Sequence, residues 1–288
     1  MKGIVLAGGA GTRLHPITLA ISKQLLPVYD KPMVFYPLST LMLAGIREIL
    51  IITTAHDQPH FTRLLGDGSR WGLEVSYAVQ EKPEGLAQAF VVGRKFAAGE
   101  RVAMILGDNI FHGAGLTGLL RNAIERDSGA TIFAYRVHDP ERFGIVEFDQ
   151  NGQVRGVEEK PVRARSDWAV TGLYFFDEQV CDRAARLAKS ARGEYEITDL
   201  ILQYVHAGEA FVERLGRGIT WFDTGTHDAL LDAAIFIRLV EERQKQRIAC
   251  LEEIAWQQGF LSEEGFRESI LQLGNSDLRS YLDEMLET

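Results

Sequence analysis

The first residues with chemical promise stand where the opening apolar run ends, at Leu6-Ala7-Gly8-Gly9-Ala10-Gly11-Thr12-Arg13-Leu14. Glycines directly after a strand leave backbone N–H groups open to phosphate oxygens, with no side chain in the way. Counting from Gly9, the third glycine position of a dinucleotide fingerprint is Leu14, and no Gly-Lys-Ser/Thr follows at P-loop spacing. A tight turn explains the glycines alone. It does not explain Arg13, a fork-shaped permanent cation, or Lys23 further along the same stretch.

Two aspartates end later apolar runs. Asp108 follows Val102-Ala103-Met104-Ile105-Leu106-Gly107 and precedes Asn109, and Asp223 lies within Ile219-Thr220-Trp221-Phe222-Asp223-Thr224-Gly225-Thr226. A carboxylate just past the carboxyl end of a buried strand sits where α/β proteins place ligands. Mg²⁺ asks for one or two carboxylates together with phosphate oxygens. Alone, each aspartate is equally well a cap or turn residue; as a pair converging on one Mg²⁺ they form a sharper hypothesis. Two further clusters are weaker. Glu158-Glu159-Lys160-Pro161 is either a solvated charge run or a carboxylate for sugar hydroxyls beside a cation for phosphate. Gln80-Glu81-Lys82-Pro83-Glu84-Gly85-Leu86 offers Gln80 to a base edge.

None of the seven histidines stands in a motif with a nucleophile and an orienting acid, and there is no Gly-x-Ser-x-Gly elbow. That suits phosphoryl chemistry. A sugar phosphate, with a second pKa of about 6, is largely dianionic near neutral pH. It attacks without a general base, so the protein supplies position and charge neutralisation.

The elements that must hold these groups read as a layered α/β domain. Strands are predicted at residues 2–6, 48–53, 74–79, 102–106, 131–136, 170–176 and 211–215, with amphipathic helices between them. Leu116, Leu119, Leu120, Ala123 and Ile124 repeat at helical spacing; Pro37 suits a first helical turn and Gly45 a helix stop. Residues 144–149 and 153–159 flank Asn151-Gly152, a hairpin signal that breaks the alternation. The expected fold is therefore a Rossmann-like, mostly parallel mixed sheet with an antiparallel hairpin insertion, flanked by helices. From Thr226 onward the pattern is helical, with Ala229, Ala233, Phe236, Ile237 and Val240 on one stripe. The expected division is an α/β domain over 1–225, its nucleotide half about 1–110 and its sugar half about 111–225, followed by a helical extension over 226–288. No internal repeat or hexapeptide array suggests a further domain.

Bulk properties bound the function. A formal net charge of −9 argues against nucleic acid or an anionic membrane as partner, since either wants a basic face. Positive charge for phosphates must then come from a few placed Lys and Arg side chains. Cys181 and Cys250 are far apart and read as buried, reduced thiols. No signal-peptide core or membrane-length apolar run is visible, so a cytoplasmic location is expected.

Taken in order, Leu6 to Leu14, Ser22-Lys23-Gln24-Leu25-Leu26-Pro27-Val28, Gly107-Asp108-Asn109, Glu158 to Pro161, Arg192-Gly193-Glu194 with Glu196-Ile197-Thr198-Asp199, and Asp223 to His227 closely resemble the sugar nucleotidyltransferases over nearly the whole chain. The resemblance is to the members that join dTTP to glucose 1-phosphate by in-line attack on the α-phosphorus, releasing pyrophosphate. It implies that Gly8, Gly9, Gly11, Thr12, Arg13 and Lys23 hold the nucleotide phosphates, that Gln80 and Gly85 contact the base, and that Leu6, Gln24 and Pro83 complete the nucleotide site. It implies Asp108 and Asp223 as Mg²⁺ ligands and Asp108 also as a nucleotide contact. Asn109, Gly144, Glu159 and Val170 then form the sugar pocket, Lys160 and Arg192 clamp its phosphate, and Arg13, Lys23 and Lys160 act in catalysis. It further implies a homotetramer with a second site for a dTDP-rhamnose effector around Ala249-Cys250-Leu251-Glu252-Glu253-Ile254-Ala255. There, Trp256-Gln257 replaces the Tyr-Arg of many members, which weakens an anionic effector's hold because Gln carries no charge.

Other readings remain at this stage. UTP or another hexose 1-phosphate fits the same motifs, because one methyl or hydroxyl changes binding by only about 1–3 kcal/mol. A non-catalytic nucleotide-sugar sensor is opposed by the joint presence of Arg13, Lys23, Asp108, Lys160 and Asp223, and a nicotinamide oxidoreductase by the broken glycine fingerprint.

Overall fold

Apolar side chains on successive residues of a strand point to opposite faces, so an uninterrupted apolar strand demands cover on both sides. Residues 2–6, 48–53 and 102–106 are of this kind. In a computed structural model of the chain, which describes residues 1–9 and 11–287, they form the middle of the sheet. Ala10, within the glycine loop, and Thr288, at the end of the predicted extension, lie outside the described residues.

The strands in chain order are β1 (Lys2–Leu6), β2 (Pro27–Val28), β3 (Lys31–Pro32), β4 (Glu48–Thr53), β5 (Glu74–Val79), β6 (Val102–Leu106), β7 (Asn109–Gly113), β8 (Ala130–Arg136), β9 (Gly144–Phe148), β10 (Val154–Glu159), β11 (Trp168–Phe176), β12 (Ala210–Arg214) and β13 (Ile219–Asp223). A nine-stranded mixed sheet runs β10-β9-β11-β6-β1-β4-β5, with β8 beside β11 and β12 beside β8. β1, β4, β5 and β6 are mutually parallel. Antiparallel pairing enters through β11 and the β9–β10 hairpin.

Val5, Ile49, Ile51, Ala103 and Ile105 face one core, which the helix Phe35–Leu43 covers with Leu38, Leu41 and Met42. Their neighbours Ile4, Leu6, Leu50, Ile52 and Met104 face a second core, covered by Ala89, Phe90, Leu200, Ile201 and Tyr204. The result is the expected three-layer arrangement. Helix Leu116–Glu125 forms where the spacing predicts it, and Pro37 and Gly45 sit in the first turn and just past the end of Phe35–Leu43.

Two local differences have physical causes. The hairpin strands stop short of the predicted 149 and 153, because the Asp149 carboxylate accepts from the N–H groups of Asn151 and Gln153 and widens the turn. β11 begins at Trp168, earlier than predicted, because its first part pairs with β8 and its last part also with β6 across a register shift between Val170 and Tyr174. The small antiparallel pair β7–β13 was not predicted. Its two strands lie over a hundred residues apart, and local periodicity carries no sign of their pairing.

Beyond β13 the chain is helical, as predicted. Thr226 caps helix His227–Gln244, whose Ala233 and Ile237 pack on Val28, Met33 and Tyr36. Leu251 and Ile254 belong to the first core, Phe260 and Leu261 pack against it, and Phe266 forms a small cluster with Ile270, Leu282 and Cys250. Both cysteines are buried and free. Among the described residues no helix is long and apolar enough to cross a membrane.

An ionic cluster ties this tail to the β2–β3 hairpin. Lys31 Nζ donates to Glu241 at 3.1 Å and also to Asp30; Arg247 donates to Glu241 at 3.0 Å and to Asp30 at 3.1 Å. Glu241 and Lys31 are buried, so removing the shared carboxylate leaves Asp30 as the one remaining carboxylate of the cluster for Lys31 and Arg247 and takes away the acceptor of the Ile248 N–H. Glu241→Leu should lower the unfolding free energy by about 1–3 kcal/mol in urea titration. A loss under about 1 kcal/mol would match a solvated surface pair and remove the cluster from the fold's main supports.

Candidate active site

The glycine loop is shaped by what stands behind it. A Cβ on Gly8 would lie 2.6 Å from Gln80 Oε1, so only glycine admits the buried Gln80 side chain beside the loop. Gln80 is held in turn by a 2.6 Å hydrogen bond from its Nε2 to Gln88 Oε1. The 3₁₀ turn Thr12–Leu14 then presents Arg13, which is exposed and has no hydrogen bond or ion pair among the described residues. The 3₁₀ turn Lys23–Leu25 brings in Lys23 and the buried Gln24, whose Oε1 accepts from Ser22 Oγ at 2.7 Å.

Asp108 and Asp223 converge because β7 and β13 pair: Asp223 is the register partner of Asn109, the residue after Asp108. Thr224 locks the junction, its N–H and Oγ1 both donating to the Asp108 carbonyl, at 3.1 and 2.7 Å. Burial opposes ionisation of Asp108, but the charge and hydrogen bond of Lys23, helped by the Asn109 amide, hold its carboxyl below the usual range. At Asp223, burial and then the Asp108 charge push the carboxyl up, against the partial relief of Arg13 and Lys23. The two like charges therefore sense each other in a desolvated place. Two carboxylates at one spot are hard oxygen donors, and a divalent cation would relieve the repulsion that raises Asp223.

The hairpin and β11 form the other wall. Gly144 and Glu159 are register partners at the open end of β9 and β10, and Val170 of β11 lies beside them. Lys160 follows with φ of 44°, a left-handed conformation that costs a non-glycine residue about 1–2 kcal/mol. Its N–H bonds the Phe143 carbonyl at 3.0 Å, and its Nζ lies 3.6 Å from Glu159. Arg192 donates Nε and one terminal nitrogen to Glu196 at 3.0 and 2.8 Å and also reaches Glu159 at 3.3 Å.

These groups line one cleft of about 310 Å³. Leu6, Gly8, Arg13, Lys23, Gln24, Asp108, Asn109, Gly144, Glu159, Lys160, Val170, Arg192 and Asp223 all face it. Gly9, Gly11 and Thr12 continue the loop without lining the cleft, and Gln80 stands behind Gly8. Pro83 is exposed outside the cleft, and Gly85 sits against the Tyr195 backbone next to Leu86, which does line it. Arg142, Phe143, Thr198, Tyr174 and Trp221 also contribute walls. Sequence reasoning did not single these out as site residues. Two of them carried a signal: Thr198 within the Glu196–Asp199 motif, and Trp221 two residues before Asp223 on the same strand. No histidine is among the lining residues described.

Comparisons with known proteins give the family. Residues 2–239 match the family model described as nucleotidyl transferase. The chain is 54% identical over 287 residues to a glucose-1-phosphate thymidylyltransferase of Neisseria meningitidis serogroup A, covering 100% of both chains. It is 56% identical to that of Xanthomonas campestris, over 98% of this chain and 95% of the relative. A crystal structure of a putative glucose-1-phosphate thymidylyltransferase from Bacillus anthracis, in complex with a sucrose, superposes with a TM-score of 0.77 at 37% identity, covering 83% of this chain and 95% of that one. A UDP-glucose pyrophosphorylase complexed with UDP-glucose shares the fold, with a TM-score of 0.72 at 22% identity over 85% of this chain and 99% of that one. By the extent of the family match and by these full-length relatives, the chain belongs to the nucleotidyl transferase family.

Proposed function

We propose that the chain catalyses transfer of a thymidylyl group from dTTP to α-D-glucose 1-phosphate, forming dTDP-glucose and pyrophosphate. The observation that carries this is the meeting, in one cleft, of a glycine loop with a free arginine, an aspartate pair of which Asp108 is buried and Asp223 half-buried, and a second set of cations on the hairpin side. Thymidylyl transfer is the activity named for relatives that align end to end with the chain. UTP is the alternative nucleotide; the UDP-glucose pyrophosphorylase neighbour, at 22% identity, shares the fold.

The oxygen of glucose 1-phosphate attacks the α-phosphorus, and the bond to the β-phosphate oxygen breaks. Arg13, the cation of the cleft left unpaired among the described residues, takes the leaving pyrophosphate, where charge grows most. The glycine loop gives backbone N–H groups to the same phosphates, and Lys23 adds a charge from beside Asp108. Lys160 and Arg192 hold the attacking phosphate, which must first draw Arg192 from its carboxylates. Glu159 meets sugar hydroxyls, and Gln80 with the Pro83–Gly85 bend receives the thymine. Asp108 and Asp223 would hold Mg²⁺, whose charge neutralises phosphate oxygens. The nucleotide half is then residues 1–110 and the sugar half residues 111–225.

The direct test is pyrophosphate release with each common nucleoside triphosphate and several sugar phosphates. dTTP with glucose 1-phosphate should lead, and a clear preference for another pair would reassign the substrates. Loss of one preorganised donor at developing charge costs about 10²–10³ in kcat, so Arg13→Ala should act mainly there. Arg192→Ala should mainly raise the KM for glucose 1-phosphate. A KM effect confined to dTTP would move Arg192 to the other substrate.

The assembly we propose is a homotetramer built through the tail at 226–288, with a second, weakened site for dTDP-rhamnose near Cys250 to Gln257. Supporting it, Leu231, Ile235 and Leu239 form an exposed stripe on helix His227–Gln244, with exposures of 59%, 43% and 44%. Light scattering should give four times the 32.2 kDa chain mass, and Ile235→Asp should lower it. A monomeric wild-type protein would exclude this assembly.

A further inference from the structure

Asn109 is one of the most buried polar residues of the cleft, and three separate parts of the chain meet on its amide. Its Oδ1 accepts from the Gly172 N–H at 3.0 Å and from the Trp221 indole N–H at 2.6 Å. Its Nδ2 donates to Asp108 Oδ1 at 3.0 Å. A backbone N–H and an indole N–H can only donate, so the amide oxygen has to be the atom between them. The nitrogen is thereby turned toward the carboxylate. A flipped amide would set NH₂ against two N–H groups and an oxygen against Asp108.

Each partner has a structural reason to be there. Gly172 lies in the register shift of β11, where its N–H has left the ladder, and a Cβ at this position would fall 2.7 Å from Asn109 Oδ1. Trp221 lies on β13 two residues before Asp223, and its ring is wedged between Tyr135 at 5.9 Å and Phe143 at 5.4 Å. Its N–H therefore has a fixed direction.

We infer that Trp221 is a positioning residue: acting through Asn109, it sets the rotation of the Asp108 carboxylate, committing Oδ1 to the amide and leaving Oδ2 on the Lys23 side. This rests on the role given to Asp108 under Proposed function. It also makes the Asn109 amide part of the Asp108 support, with one N–H still available to a substrate. Partners that orient a carboxylate ligand typically change metal affinity or activity about 10–100-fold when removed.

Trp221→Phe deletes the N–H and keeps an aromatic ring in the wedge. The affinity for Mn²⁺ alone, followed by electron paramagnetic resonance, should fall about tenfold, with a matching fall in kcat. In the Asn109→Ala background the same substitution should add nothing further, because its route to Asp108 is gone. Losses that multiply in the double variant would overturn the inference. So would wild-type Mn²⁺ affinity in Trp221→Phe when Asp108→Asn has lost it. Unaltered Mn²⁺ binding in Asp108→Asn would instead overturn the metal assignment itself. Should Trp221→Phe fail to fold, proton NMR on the intact protein decides: the Trp221 indole proton should resist exchange and lose that protection in Asn109→Ala. A Trp221 indole proton that exchanges equally fast in both proteins would contradict the inference.

Discussion

Two carboxylates, buried Asp108 and half-buried Asp223, are brought together in a protein whose net charge is already −9. Like charges in a desolvated site repel strongly, and each pushes the other toward the neutral acid. The structure answers with local countercharge. Lys23 pairs with Asp108, and Arg13 lies close enough to Asp223 to lower its carboxyl against burial. In the proposed reaction the same cations meet a triphosphate, which brings still more negative charge. Carboxylates and phosphates share a place only if cations come with them, and this constraint explains why Arg13, Lys23, Lys160 and Arg192 line a cleft that also holds Asp108, Glu159 and Asp223.

The architecture serves that meeting. Asp108 follows β6 in the parallel half of the sheet, whereas Asp223 ends β13, a strand of the separate β7–β13 pair. The Thr224 bonds to the Asp108 carbonyl and the Asn109 bonds to Gly172 and Trp221 fasten the junction. On the hairpin side the charge order is reversed. Arg192 is ringed by Glu159, Glu194 and Glu196, and its bidentate hold on Glu196 keeps the planar guanidinium in the cleft before an anion arrives. In the proposed reaction, nucleotide and sugar phosphate would thus meet cations prepared differently, one unpaired at Arg13 and one to be drawn from its carboxylates.

Most of the parallel sheet was legible in the sequence, because a doubly buried strand writes an uninterrupted apolar run bounded by turn residues. β1, β4 and β6 fall at the predicted residues for that reason, while β5, at the sheet edge, shows itself by a buried Val75 between exposed Glu74 and Ser76. The lining residues were legible where chemistry is unusual at a strand end, as with Gly8, Asp108, Glu159 and Asp223. Long-range pairing was not legible. Nothing local announces that Trp221 reaches Asn109, or that Gly172 is a glycine because an amide from β7 abuts it. The left-handed backbone at Lys160 was likewise hidden, since lysine does not advertise positive φ. The acidic partners of Arg192 were in view as a charged stretch, but their convergence on one guanidinium depends on the fold of the loop before helix Ile197–Ala207.

The lining residues include no cysteine or histidine that could serve as a nucleophile, and Lys23 is tied to Asp108 as a cation. The central claim is therefore a single displacement, in which the sugar phosphate itself attacks and the protein only holds and neutralises. Stereochemistry at the α-phosphorus tests it most directly. With dTTP carrying one sulfur of defined configuration at that phosphorus, the dTDP-glucose formed should show inversion. Retention would mean two displacements through a nucleotide bound covalently to the enzyme, and would contradict the account.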